Sequence, residues 1–149
     1  MRAVSRLAWV GALLGLGAAF FFLWPHTRER ADPTNSGQVA LGRTVYAQHC
    51  AACHGTNLEG QPNWRRRKPD GRLPAPPHDI TGHTWEHPDE TLFQVIKFGV
   101  QPMVSSDYQT DMPAFGGTLS DEEIWAVIAF IKSRWPQELL DRLKGPPAR

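Results

Sequence analysis

Five residues constrain this chain more than any others: Cys50-Ala51-Ala52-Cys53-His54. They hold both cysteines of a 149-residue sequence. With only two Cys, a disulfide scaffold is excluded. A Cys-x-x-Cys redox pair calls for a βαβ setting, which the surrounding pattern lacks, and it would leave His54 idle. A structural zinc needs a second pair of ligands, and no further Cys exists to supply it. Two Cys three apart followed at once by His are the attachment signature of haem c. Each thiol adds across one porphyrin vinyl group, and the one-turn spacing matches the separation of the vinyls. The adjacent imidazole is then carried under the iron as an axial ligand. Cys50 and Cys53 are therefore expected to carry one covalent haem, with His54 on its iron.

The N-terminus adds a second constraint. Leu7 to Trp24 reads LAWVGALLGLGAAFFFLW, without a charge. At about 1.5 Å per helical residue this run is roughly 27 Å long, close to a bilayer's hydrocarbon core. Arg2 and Arg6 precede it, and Trp9 and Trp24 stand near its ends, where indole rings favour the headgroup region. A buried globular helix would show a polar face instead. Signal peptidase requires small residues just after the apolar stretch. Here the stretch ends Phe20-Phe21-Phe22-Leu23-Trp24-Pro25, bulky throughout. Residues 1–25 are accordingly expected to be a retained signal anchor, with a cleaved signal peptide as the alternative. Residues 26–36 are polar and include Pro33, the composition of a linker.

Beyond the linker the chain has one domain's worth of sequence. Its formal charge of +1 provides no basic field for nucleic acid, and its single long apolar run excludes a polytopic membrane protein. The periodicity predicts a short helix over Gln38 to His49, with Val39, Leu41, Val45 and Tyr46 as its apolar face. Gly55 to Trp85 has no sustained period and holds Pro62, Pro69, Pro74, Pro76 and Pro77; it reads as a long ordered loop. A helix opens at Asp89 and is capped by Gly99. Gln101 to Gly117 is irregular. Ser120 and Glu123 form a capping box for the clearest helix, which Pro136 ends. The tail, 137–149, reads as a short turn that frays. Strand signals are weak everywhere, so the domain, 37–136, is all-α.

An iron that only carries electrons takes a second strong ligand, and a Met thioether raises its potential. Met103 follows Pro102, and Met112 stands in the loop Asp111-Met112-Pro113-Ala114-Phe115. Local pattern alone leaves both open, each against plain core filling. Trp85 is placed either to donate its indole N–H to a haem propionate or simply to pack. His78, His83 and His87, with Asp79, either bind a transition metal or hydrogen-bond within the loop. Arg65, Arg66, Arg67 and Lys68 are either a docking patch or solvated surface.

Taken together, these residues resemble a class I c-type cytochrome of bacterial, single-haem, membrane-anchored type. The resemblance is carried by Gly42 and Tyr46, by Cys50 to Gly55, by Met112-Pro113-Ala114-Phe115, and by the run Leu119 to Lys132; it covers roughly residues 37–135. It implies a cytochrome c fold in which the first and last helices cross beside the haem. It implies His54 and Met112 as the axial pair, since Met112 sits in the family's ligand motif and Met103 does not. A loop Pro carbonyl accepting from the proximal His is also implied, with Pro76 the favoured position among Pro74, Pro76 and Pro77. The long loop with Trp64 to Lys68 and His78 to His87 departs from the family pattern.

The function expected is one-electron transfer between membrane respiratory or oxidoreductase partners, with no catalytic residue. The alternative is a haem-bearing subunit of a larger oxidoreductase. A gas- or peroxide-binding haem protein fits less well, since it would lack the Met-Pro loop. The partners expected are the membrane and redox proteins; the setting is a bacterial inner membrane with the haem domain on the periplasmic side. The anchor reading predicts that the mature chain sediments with membranes and that its mass includes residues 1–24. A soluble mature protein beginning near Phe20 would overturn it.

Overall fold

The computed structural model describes residues 31–104 and 108–143. The apolar run at 7–24 lies outside the described residues, and among those described no helix is long and apolar enough to cross a membrane. The order is α1 (Ser36–His49), α2 (Ala51–His54), α3 (Asp89–Phe98), α4 (Asp121–Ser133) and α5 (Gln137–Leu143), with 3₁₀ turns at Thr84–Glu86 and Gln101–Met103. No strand occurs among the described residues.

Helix α1 begins two residues earlier than its apolar pattern suggests. Asn35 is the reason: its side chain accepts from the Gln38 N–H at 3.0 Å, capping the first turn. The end of the linker is folded as well. Asp32 accepts from the Thr34 N–H, Ala31 is buried, and the Ala31 carbonyl accepts from Lys132 Nζ.

The core is the crossing of α1 and α4. Gly42, Val45 and Tyr46 are the buried face of α1, an i, i+3, i+4 stripe. Helix α4 is apolar almost all round, with Ile124, Ala126, Val127, Ile128, Ala129 and Ile131 buried. A Cβ on Gly42 would collide with the Ala126 carbonyl oxygen, so only glycine permits the two backbones to approach this closely. Tyr46 packs against Phe130 beside the crossing, ring centroids 5.3 Å apart.

Helix α3 runs antiparallel to α4. Asp89 at its start bonds Lys132 at the end of α4 (2.5 Å), and Lys97 at its end bonds Asp121 at the start of α4 (2.6 Å). Each charge also opposes the partial charge of its own helix terminus. Between the two ends Phe93 stacks on Trp125 at 4.5 Å. The capping box is complete, with Ser120 Oγ accepting from the Glu123 N–H and the Glu123 carboxylate accepting from the Ser120 N–H.

The C-terminal tail differs from its expectation. Instead of a fraying turn, Gln137–Leu143 is a helix whose Leu139 and Leu140 join the core together with Trp135. Three apolar side chains within six residues bury enough surface to hold a helix too short to persist alone.

Replacing Gly42 with Ala is expected to lower stability by about 2 to 3 kcal/mol, as overpacking of a closed contact does. Denaturant unfolding of the haem-loaded chain checks this; an unchanged midpoint would mean that α1 and α4 separate freely.

Candidate functional site

The Cys50–His54 segment is a single helical turn set directly after α1. The Cys50 N–H bonds the Tyr46 carbonyl (2.9 Å), and the His54 N–H bonds the Cys50 carbonyl (2.9 Å). The Tyr46 hydroxyl donates to the Gly55 carbonyl at 2.8 Å, so the core residue of α1 also clamps the end of this turn. Cys50 is half-buried and Cys53 exposed. Burial, with Cys53 nearby, pushes the Cys50 thiol up to about 11. That is opposite to the lowered value of a redox-active Cys-x-x-Cys thiolate.

His54 is 7 % exposed. Its Nδ1–H donates to the Pro76 carbonyl at 2.8 Å. Burial lowers its pKa below the ordinary histidine value, and the bond to Pro76 offsets only part of that. The ring is therefore neutral near pH 7, with its proton on Nδ1 and the Nε2 lone pair left for a metal.

The long loop has no helix to hold it, and backbone bonds do so instead. The Gly60 N–H bonds the His54 carbonyl, the Gln61 N–H bonds the Ala75 carbonyl, and the His78 N–H bonds the carbonyl of fully buried Leu58. Gly60 has φ +67°, and a Cβ there would lie 2.5 Å from the Pro77 nitrogen. The Pro76–Pro77 backbone is thereby pressed against the strand of loop leaving the motif, which brings the Pro76 carbonyl to His54.

His78, His83 and His87 do not share an ion site. Among the described residues no group of three or more His, Cys, Asp or Glu is arranged for a metal. His78 stacks on His54, centroids 4.0 Å apart, and its Nδ1 pairs with Thr84 Oγ1 at 2.8 Å. Its carbonyl accepts from Trp135 Nε1 at 2.8 Å. Burial above all, then His54 and His83, holds its pKa well below the ordinary value, so a neutral ring backs His54. His83 stacks on Trp64 at 5.4 Å and meets His87 edge-on. The hydrogen bond of His78 to Thr84 is the loop bonding that the sequence offered as an alternative to a metal, whereas its stack on His54 is not legible there. The position of His78 two residues after Pro76 was the available signal, since whatever follows the carbonyl that holds His54 must pass close to that ring.

The two candidate methionines sit differently. Met103 is 47 % exposed, on the 3₁₀ turn after α3. Met112 is half-buried, and the residues after it are pinned to the end of α3. The Phe115 N–H bonds the Ile96 carbonyl and the Gly116 N–H bonds the Lys97 carbonyl, both at 2.9 Å. Phe115 also faces the exposed His49 edge-on. Trp85 is half-buried, yet its Nε1 is fully buried and has no hydrogen-bond partner. A buried indole N–H without an acceptor costs about 1 to 3 kcal/mol unless something supplies one.

The basic run is not a uniform patch. Arg65 lies over the Trp64 ring at 3.9 Å, Arg67 donates to the Gly71 carbonyl, and Lys68 is ion-paired with Asp111 at 2.6 Å.

Residues 37–131 match the family described as cytochrome C oxidase, cbb3-type, subunit III. The chain belongs to this family. Two curated relatives, both cbb3-type cytochrome c oxidase subunit FixP, come from Bradyrhizobium sp. (strain ORS 278) and from Bradyrhizobium diazoefficiens. They are 31 % and 28 % identical over 96 residues, which are 63 % of this chain. The match spans 29 % of each relative's length. No solved structure matches the chain.

As a member of the cbb3-type subunit III family, the chain is a class I c-type cytochrome, and its chemistry is electron transport at covalently bound haem c. The residues present fit such a group. Two thiols sit on one turn, and beside them a neutral imidazole has its ligating nitrogen uncommitted.

Proposed function

We propose that this chain is a membrane-tethered, single-haem cytochrome that delivers one electron at a time to a cbb3-type oxidase. Membership of the subunit III family over residues 37–131 carries the reading. The sequence holds one Cys-x-x-Cys-His motif, which corresponds to one haem. Cys50 and Cys53 form its thioethers, and His54 is its proximal ligand, aligned by Pro76. Met112 is the distal ligand, supported by its partial burial and pinned loop against the exposed Met103. Trp85 Nε1 donates to a propionate, which gives its unpartnered N–H an acceptor. The haem supplies the one-electron couple when bound; the protein supplies the ligands and a dry pocket that together set its potential.

Residues 1–25 anchor the chain, residues 26–36 link it, and the haem domain, 37–136, stands on the periplasmic side of a bacterial inner membrane. Haem c is attached on that side, and Arg2 and Arg6 before the apolar run suit the opposite one. The second reading, a fixed subunit of the oxidase, is favoured by the names of the two relatives.

Two measurements test this. Dithionite-reduced chain, mixed in air with a purified cbb3-type oxidase, is expected to reoxidise many times faster than without it. Equal rates would sink the oxidase as acceptor. Co-purification of oxidase subunits in fixed stoichiometry would favour the subunit over the mobile carrier.

Ligation is tested separately. A Met–iron bond gives ferric c-type cytochromes a weak near-infrared charge-transfer band. Met112→Ala is expected to abolish that band and lower the potential, whereas Met103→Ala leaves both in place; the reverse result would reassign the ligand. Trp85→Phe is expected to lower the midpoint potential, because the propionate charge loses a donor. The shift should stay below about 60 mV, the equivalent of tenfold in a one-electron equilibrium. A potential identical to the wild type would make Trp85 a packing residue only.

A further inference from the structure

Among the described residues, 108–111 before Met112 lie in no helix, yet Asp111 is firmly held. Lys68 Nζ bonds Asp111 Oδ2 at 2.6 Å, and Arg72 Nε lies 3.2 Å from Asp111 Oδ1. Arg72 Nε is buried without a hydrogen-bond partner, so the Asp111 carboxylate is its counter-charge. One residue thus takes a cation on each of its oxygens, both from a loop some forty positions earlier in the chain. A third contact runs alongside, with the Arg67 guanidinium 5.7 Å over the Tyr108 ring.

The cations are held ready by a tight turn. The Lys68 N–H bonds the Arg72 carbonyl (2.8 Å), the Gly71 N–H bonds the Lys68 carbonyl (2.9 Å), and Gly71 has φ +83°. Asp70 accepts from the Arg72 N–H at 3.0 Å and lies 3.8 Å and 3.7 Å from the two cationic groups. A lone exposed ion pair contributes little, because two flexible side chains must be immobilised. Here the turn has already ordered the side chains' backbone, and the charges form a network.

We infer that Lys68 and Arg72 form a clasp that positions the Met112 loop over the haem by gripping Asp111. The inference rests on Met112 being the distal ligand, as proposed above. Met112 is then held from both sides, by the Phe115 and Gly116 backbone bonds after it and by the clasp before it. The clasp also gives the elaborated loop a purpose: Lys68, at the end of its basic run, is paired with the ligand loop. Lys68, Arg72 and Asp111 are positioning residues; none is assigned to touch the haem.

The test uses the haem-loaded ferric chain and free imidazole as a competing ligand. Imidazole binds only when the Met side chain has left, so its apparent affinity rises in proportion to the open fraction. Asp111→Asn is expected to tighten imidazole binding several-fold. Lys68→Gln combined with Arg72→Gln should match it, and Asp111→Glu should restore wild-type behaviour. Wild-type affinity should also rise toward that of Asp111→Asn as salt approaches about 1 M, where the screening length falls to roughly 3 Å.

Unchanged imidazole affinity in both the Asp111 and the double variant, with the band intact, would overturn the clasp. If Asp111→Asn yields no folded protein, Arg72→Gln alone and the salt titration of the wild type carry the same decision. Met112→Ala separates the two claims. Unchanged imidazole affinity in the clasp variants, with the band lost in Met112→Ala, refutes the clasp alone. A band that survives in Met112→Ala refutes the ligation on which the clasp depends.

Discussion

The contact of Gly42 with the backbone of Ala126 governs the rest of the molecule. At that point α1 and α4 come closer than any side chain would permit. The close approach sets Tyr46 against Phe130 and aims its hydroxyl at the Gly55 carbonyl. The haem-attachment turn is continuous with α1, so its placement follows from how α1 lies on α4. A small residue at a helix crossing therefore fixes a site that begins eight residues later in the chain. The energetic support comes from burial: α4 places six residues in the interior, and each fully buried aliphatic side chain contributes about 1.5 to 3 kcal/mol.

Around this core the site is assembled mostly from irregular chain. Loops are costly to order, and each stretch here is restrained by named bonds rather than by helix propagation. His54 is held by the Pro76 carbonyl on its Nδ1 and by the His78 ring stacked behind it. The segment carrying Met112 is pinned to the end of α3 on one side and to Lys68 and Arg72 on the other. Both arrangements use backbone carbonyls or surface charges that act at a distance in sequence. A haem protein of this size has little core to spare, and anchoring a ligand loop with a few directed bonds takes little of it.

Family membership and geometry answer different questions. The match over residues 37–131 establishes a c-type cytochrome of the cbb3-type subunit III family. It does not by itself distinguish Met112 from Met103; the two differ in burial, Met112 half-buried and Met103 exposed. Likewise the basic run, read as charge, fits either a docking patch or solvated surface. Its side chains turn out to have separate employments, Arg65 on Trp64, Arg67 on Gly71 and Tyr108, and Lys68 on Asp111.

Much of the framework was legible from local pattern. The Cys50–His54 signature named the cofactor chemistry because spacing on one helical turn is a local property. The Ser120–Glu123 box and the Gly99 cap marked helix ends for the same reason, since each satisfies backbone groups within a few residues. What depended on distant chain was not legible. The packing of Leu139 and Leu140 that makes a helix of the tail, the stack of His78 on His54, and the grip of Lys68 and Arg72 on Asp111 all join residues far apart in sequence. No periodicity records such pairings. They exist only once the crossing of α1 and α4 has set the loops in place, because hydrogen bonds and ion pairs act over a few ångströms and only the folded backbone decides which groups come that close.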